Sequence, residues 1–118
     1  MAGTDLQPAD WPVRCTQGDI LPVESVAVAR EVGGVETAAS LTSAVAQVRE
    51  TRDRSSALVL DLSASVSGDD VSWGGVSVPL EPGTWWWDLH VVGTVGAVTL
   101  NLTILGGSFR IDRDVSHV

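Results

Sequence analysis

Across its last third the sequence repeats apolar residues at every second position, and that period fits an extended strand with one buried face. In the first run, Trp85, Trp87, Leu89 and Val91 fall on one face, and Trp86, Asp88 and His90 on the other. Charge assigns the first set to the core, because a carboxylate is seldom buried without a partner. That leaves the Trp86 indole pointing outward. A second run, Ala97 to Leu105, places Val98, Leu100, Leu102 and Ile104 opposite Thr99, Asn101 and Thr103. A third, Ser108 to Asp112, continues the inner face with Phe109 and Ile111. Three strands in succession are expected to form a meander.

The rest of the chain carries the same signal in shorter pieces. Met1 to Asp10 is polar and is expected to be an extended N-terminal arm, with residues 11–118 forming one domain. Trp11, Val13 and Cys15 alternate with Pro12, Arg14 and Thr16, which predicts a short edge strand ending at a turn over Gln17-Gly18-Asp19. Ile20 to Arg30 is rich in Val and Ala, with Pro22 keeping its first residues out of a central strand, and Gly33-Gly34 reads as a turn. Ala38 to Asp53 fits two periods. Ala39, Leu41, Ala44, Val45 and Val48 are roughly helical in spacing with Ser40 as a cap, whereas Ala44, Ala46 and Val48 alternate with Val45, Gln47 and Arg49 as in a strand. The surrounding strand pattern favours the second reading. Arg49 to Arg54 reads as a charged turn. Leu58, Leu60 and Leu62 form another inner face, a polar Ser/Gly/Asp loop follows, Val76, Val78 and Leu80 form the next, and Pro82-Gly83 turns into the tryptophan run. The whole predicts an all-β, Ig-like antiparallel β-sandwich of about seven to nine short strands.

Composition narrows the functions open to such a domain. At 118 residues the chain is long enough to bury a core without metal or disulfide staples. Its net charge is −8, with seven arginines, no lysine and no basic stripe. That argues against nucleic acid and against anionic membrane surfaces, both of which need clustered cations. Cys15 is the single cysteine, so no intrachain disulfide is available. The N-terminal residues lack a basic segment and an apolar h-region, and no stretch is long enough to span a bilayer, so synthesis in a cytoplasm is expected. Asn101-Leu102-Thr103 reads as strand rather than as a glycan site.

Catalytic chemistry is not expected either. Cys15, His90 and His117 have no spacing that builds a metal site or a nucleophile–base pair. Asp69-Asp70 and Asp112-Arg113-Asp114 do not match a calcium loop and read as turn carboxylates. Gly74-Gly75 and Gly106-Gly107 lack the helix and lysine of a phosphate-binding loop. The sequence therefore predicts no enzyme, no cofactor and no metal. Its five tryptophans remain. An indole either fills the core or, exposed, stacks on a sugar ring or a neighbouring subunit. Trp86 and Trp73 are the candidate contact residues, with Asp88 and His90 sharing the outer face of Trp86.

Five motifs in order carry a resemblance: Thr16-Gln17-Gly18-Asp19, Ala44 to Val48-Arg49, Trp87-Asp88-Leu89-His90-Val91, Leu105-Gly106-Gly107-Ser108-Phe109-Arg110-Ile111 and Asp114-Val115-Ser116. Together they span nearly the whole chain. The sequence resembles the small β-sandwich modules of minor tail, baseplate and tail-fibre proteins of tailed bacteriophages, similar to the N-terminal domain of upper baseplate proteins. It departs from their pattern twice. Ala38-Ala39-Ser40-Leu41-Thr42-Ser43 stands where they carry a D-L-T-G turn, which affects the 31–43 connection, and Trp87 replaces a tyrosine. The resemblance implies a non-enzymatic virion component in the tail, made in the host cytoplasm. It would assemble as a homo-oligomer and with other tail or baseplate proteins. The exposed aromatics also suit a carbohydrate-binding module for host-surface glycans, and the same sandwich would suit a head decoration or head-to-tail joining protein.

Overall fold

The computed structural model describes residues 9–51 and 58–113, and these form an all-β, sandwich-like fold. Its frame is a long hairpin of β10 (Gly83–Val95) and β11 (Val98–Asp112). β6 (Ser40–Arg49) pairs antiparallel with β10, and β7 (Leu58–Asp61) pairs with β6. On the far side of β11, β1 (Ala9–Asp10) and β2 (Val13–Thr16) both run parallel to it. A second sheet of β3 (Glu24–Ala27), β9 (Asp70–Trp73) and β8 (Ser65–Ser67), in that order, lies against the inner face. A separate hairpin joins β4 (Ala29–Val32) to β5 (Val35–Ala38) across Gly33-Gly34, in the 31–43 connection where the sequence departs from the tail-protein pattern.

Between the sheets sits one core. Val48, Leu62, Val71, Val78, Leu89, Val91, Val95 and Phe109 are fully buried, and Trp73 and Trp87 nearly so. The phase of β10 is the expected one, with Trp87, Leu89 and Val91 in and Trp86, Asp88 and His90 out. Residues 40–49 are strand, which decides the two-period segment against helix.

Several expectations are corrected. The three-strand meander is a two-strand hairpin, because residues 98–112 form one continuous strand. Gly106 and Gly107 do not turn. They stay in the ladder, opposite Asp88 and Trp87, and leave room for another backbone. A Cβ on Gly107 would stand 3.3 Å from the Trp11 carbonyl oxygen. Ile104 and Phe109 cannot share a face in a regular strand, since they stand five positions apart and only even offsets return to the same face. The ladder resolves this with a bulge. Leu89 pairs with Leu105 and His90 with Thr103, leaving Ile104 as the extra residue, half-buried, while Leu105 takes the inward position.

The polar Ser/Gly/Asp loop contains the β8–β9 hairpin, with Ser67 opposite Asp70. Gly68 is its first turn residue, at φ +62°, which suits a two-residue turn that only glycine enters without cost. Val76 to Leu80, expected as a strand, makes only one bridge, Ser77 to Ile20. Gly74 and Gly75 at positive φ precede it and Pro79 lacks a donor, so no ladder extends. Leu58 is 46% exposed rather than inward. Val48 pairs with Leu60 and Arg49 with Leu58, so Val59 is bulged and the face switches. The described residues carry eleven strands rather than about seven to nine, because the ladders break into pieces as short as two residues.

The N-terminal arm is not free throughout: Ala9 and Asp10 are laid onto β11 opposite Leu105 and Gly106. Residues 1–8 lie outside the described residues, as do His117, the Asp114-Val115-Ser116 motif and residues 52–54 of the charged turn before β7.

Candidate functional site

Three central strands of the larger sheet present an outward face with no second layer over it among the described residues. Antiparallel partners directly opposite one another share a face, so the register gives its composition. Trp86 lies between Ser108 of β11 and Arg49 of β6, Asp88 between Gly106 and Gln47, and His90 between Thr103 and Val45. Asp61 of β7 extends the Asp88 row beyond Gln47. Trp86, Asp88 and His90, expected together from their parity, do stand in one file along β10, each half-buried.

The polar groups in this file are held rather than loose. The His90 ring bonds on both sides, Nε2 at 2.5 Å from Asn101 Oδ1 and Nδ1 at 3.1 Å from Thr103 Oγ1. An amide oxygen can only accept, so Nε2 carries a proton and donates to Asn101, while the Thr103 hydroxyl, able to donate or accept, meets Nδ1. With both nitrogens engaged, His90 is a positioned surface group and not an open base. Arg49 Nη2 donates to Gln47 Oε1 at 2.5 Å, fixing the neighbouring row. The result is a flat, mixed surface: one large indole, a carboxylate, a fixed imidazole and amides.

Trp73 is corrected. It is 4% exposed and belongs to the core, with its ring 5.7 Å from Trp11 edge to face and 5.4 Å from Trp87. It presents no contact surface on the Trp86 side. It does help line a cleft of about 180 Å³ on the opposite part of the molecule, with Trp11, Pro12, Pro22, Arg14 and Glu24 around it. No sequence pattern marked this cleft, whose walls come from segments distant in the chain.

The other reactive groups are restrained. Asp112 receives Arg14 Nε at 2.6 Å and Arg110 Nε at 3.4 Å. The hydrogen bond from Arg14 holds its carboxyl below the ordinary carboxylate range, and the same bond raises Arg14. Burial pushes the Cys15 thiol up, and the charges of Asp19 and Asp112 push it the same way. A thiol raised in this manner carries little thiolate at neutral pH. Iodoacetamide at pH 7.5 is therefore expected to label Cys15 at least about tenfold more slowly in the native protein than in the denatured chain. Equal rates, read by mass spectrometry, would show an open and unshifted thiol. Among the described residues no three His, Cys, Asp or Glu side chains converge as metal ligands would.

No family model matches this sequence, and neither does any curated protein.

Proposed function

We propose that this chain is a non-enzymatic structural component of a bacteriophage virion, a minor tail or baseplate protein that assembles through protein–protein contacts with copies of itself and with other tail proteins. The observation that carries the reading is the outer face of β6, β10 and β11, over which no described strand lies, with Trp86 between Arg49 and Ser108. A half-buried indole between Arg49 and Ser108 is the composition of an interface anchor, which gains large apolar area on contact while its surroundings exclude water. The ordered motifs shared with tail modules supply the virion context. A rigid sandwich repeated by symmetry needs such a face and needs no catalytic centre.

One observation favours a second reading. Trp86, Asp88, His90 and Asn101 combine an aromatic platform with hydrogen-bonding groups, which also suits a pyranose ring from a host-surface glycan.

The deciding experiment is light scattering after size exclusion over a range of concentrations, on the protein and on Trp86→Ala. A multimer is expected that dissociates at least about thirtyfold more readily in the variant, as removal of a hot-spot tryptophan does. Near-UV circular dichroism of the buried tryptophans should change little. A multimer unaffected by the substitution removes Trp86 from the interface. A strict monomer whose tryptophan fluorescence shifts on titration with cell-wall polysaccharide replaces the assembly reading with the glycan one.

A further inference from the structure

The cleft beside Trp73 has a buried floor and an exposed rim. Leu62, Trp73 and Leu21 form the floor, Trp11 stands half-buried as one wall, and Pro12 and Pro22 are exposed at the mouth. Backbone contacts hold both sides. Trp87 Nε1 donates to the Trp11 carbonyl on one side. On the other, the Leu21 N–H donates to the Val76 carbonyl at 2.9 Å and the Gly75 N–H to the Leu21 carbonyl at 2.8 Å. Gly74 packs so closely on the Pro22 carbonyl that it leaves no room for a Cβ. The cleft is therefore preformed, and filling it costs no rearrangement of its walls. Among the described residues two polar side chains line it, Arg14 and Glu24. Arg14 gives its Nε to Asp112 at 2.6 Å and keeps N–H groups on both terminal nitrogens, while the Glu24 carboxylate is an acceptor.

We propose that this cleft takes one aromatic side chain from an extended segment of another protein, with a backbone carbonyl of that segment held by Arg14 and a backbone N–H by Glu24. The volume sets the size of the occupant. At about 180 Å³ the cleft exceeds the roughly 150 Å³ of a cavity that holds benzene, so a single ring fits, and it falls short of the pockets that take drug-sized molecules. The walls set its character. Trp11 meets Trp73 edge to face and Trp73 meets Trp87 at 5.4 Å, and an incoming ring extends that cluster. A pyranose is the poorer fit, because the apolar floor would strip its hydroxyls of water and leave several without a partner. The charged pair at the mouth sets the backbone contacts, one donor and one acceptor against the one acceptor and one donor of a peptide residue. This chain's own described surface does not supply the ring. Its exposed large hydrophobic residues, Ile20, Val23, Val35, Val45, Leu58 and Val98, are all aliphatic. The occupant therefore belongs to a different chain, and the cleft is a second contact site, separate from the Trp86 face.

Titration of the isotope-labelled full chain with N-acetyl-phenylalanine N-methylamide, followed by NMR beside its alanine counterpart and methyl glucoside, tests this. Saturable shifts are expected at the Trp11 and Trp73 indole N–H groups and at the Leu21 and Glu24 amides. The phenylalanine compound should bind at least about tenfold more tightly than the alanine one, the gain from burying a ring. Trp11→Ala should weaken it at least about tenfold, and Glu24→Gln about threefold or more. No saturable shift at these residues, equal affinity for the alanine compound or tighter binding of methyl glucoside overturns the proposal. So does a fall in mass of Glu24→Gln by light scattering, which would seat a second copy in the cleft. Should Trp11→Ala misfold, Glu24→Gln at the exposed rim decides alone, and undiminished affinity there overturns the proposal. The titration succeeds or fails whatever the mass of the unaltered protein, so it is independent of the assembly test on Trp86.

Discussion

Replacing Gly93 by alanine is expected to destabilise the protein by about 3 kcal/mol or more, the upper end of the usual cost of overpacking a core. Gly93 is buried near the C-terminal end of β10, close against the backbone of β6. A Cβ there would stand 2.3 Å from the Ser40 carbonyl oxygen and 2.8 Å from the Leu41 Cα. Both obstacles are backbone, so no side chain can swing aside. The approach is fixed by a bulge: Val92 pairs with Ser43 and Gly93 with Leu41, leaving Thr42 as the extra residue, whose Oγ1 donates to the Val92 carbonyl at 3.1 Å. Accommodating one methyl group means parting β6 from β10, the pairing that also aligns Arg49 and Gln47 with Trp86 and Asp88. Gly96 provides the control. It sits in the hairpin turn at φ +60° with open space where a Cβ would go, so Gly96→Ala should cost only about 1 kcal/mol, from the strained backbone. Denaturant midpoints of the two variants compare the effects directly. Equal losses would show that the β6–β10 approach is not tight.

How much of this was legible in the sequence follows from how local each signal is. The inward and outward sets of β10 depend only on parity within one strand, so Trp86, Asp88 and His90 could be grouped before any partner was known. Their neighbours could not. Arg49, Gln47, Asn101 and Thr103 join the site through cross-strand register, and although the bulges at Thr42 and Ile104 show as breaks of parity, from Leu41 to Ala46 and from Ile104 to Phe109, one strand's pattern does not say which partner residues stand opposite. Gly106-Gly107 misled for a related reason. Glycine pairs usually signal turns, but here the missing side chains serve the close passage of Trp11 over β11. Trp73 is the other instructive case. Its strand is four residues long, too short for parity alone to assign a face, and the pairing of β9 with both β3 and β8 is what turns it into the core.

Trp87→Ala should show the largest loss from a side-chain truncation, about 3–5 kcal/mol, out of a total that for a domain of this size is typically about 5–15 kcal/mol. Trp87 is 3% exposed and its ring lies 5.4 Å from Trp73, which in turn meets Trp11 edge to face. Its Nε1 donates to the Trp11 carbonyl at 2.7 Å. The indole therefore does two jobs, filling the space between the sheets and tying the segment between β1 and β2 down to the hairpin. Trp87→Phe separates them. It keeps most of the packing but leaves the Trp11 carbonyl without that donor, and should lose about 1–3 kcal/mol. Trp86→Ala, one residue away on the outer face, should lose under about 1 kcal/mol, because its indole fills no interior space. The ordering Trp87→Ala, Trp87→Phe, Trp86→Ala in urea midpoints is thus a direct reading of which face of β10 is the core. Equal losses for the two alanine variants would contradict the inside and outside faces on which both the core and the Trp86 surface depend.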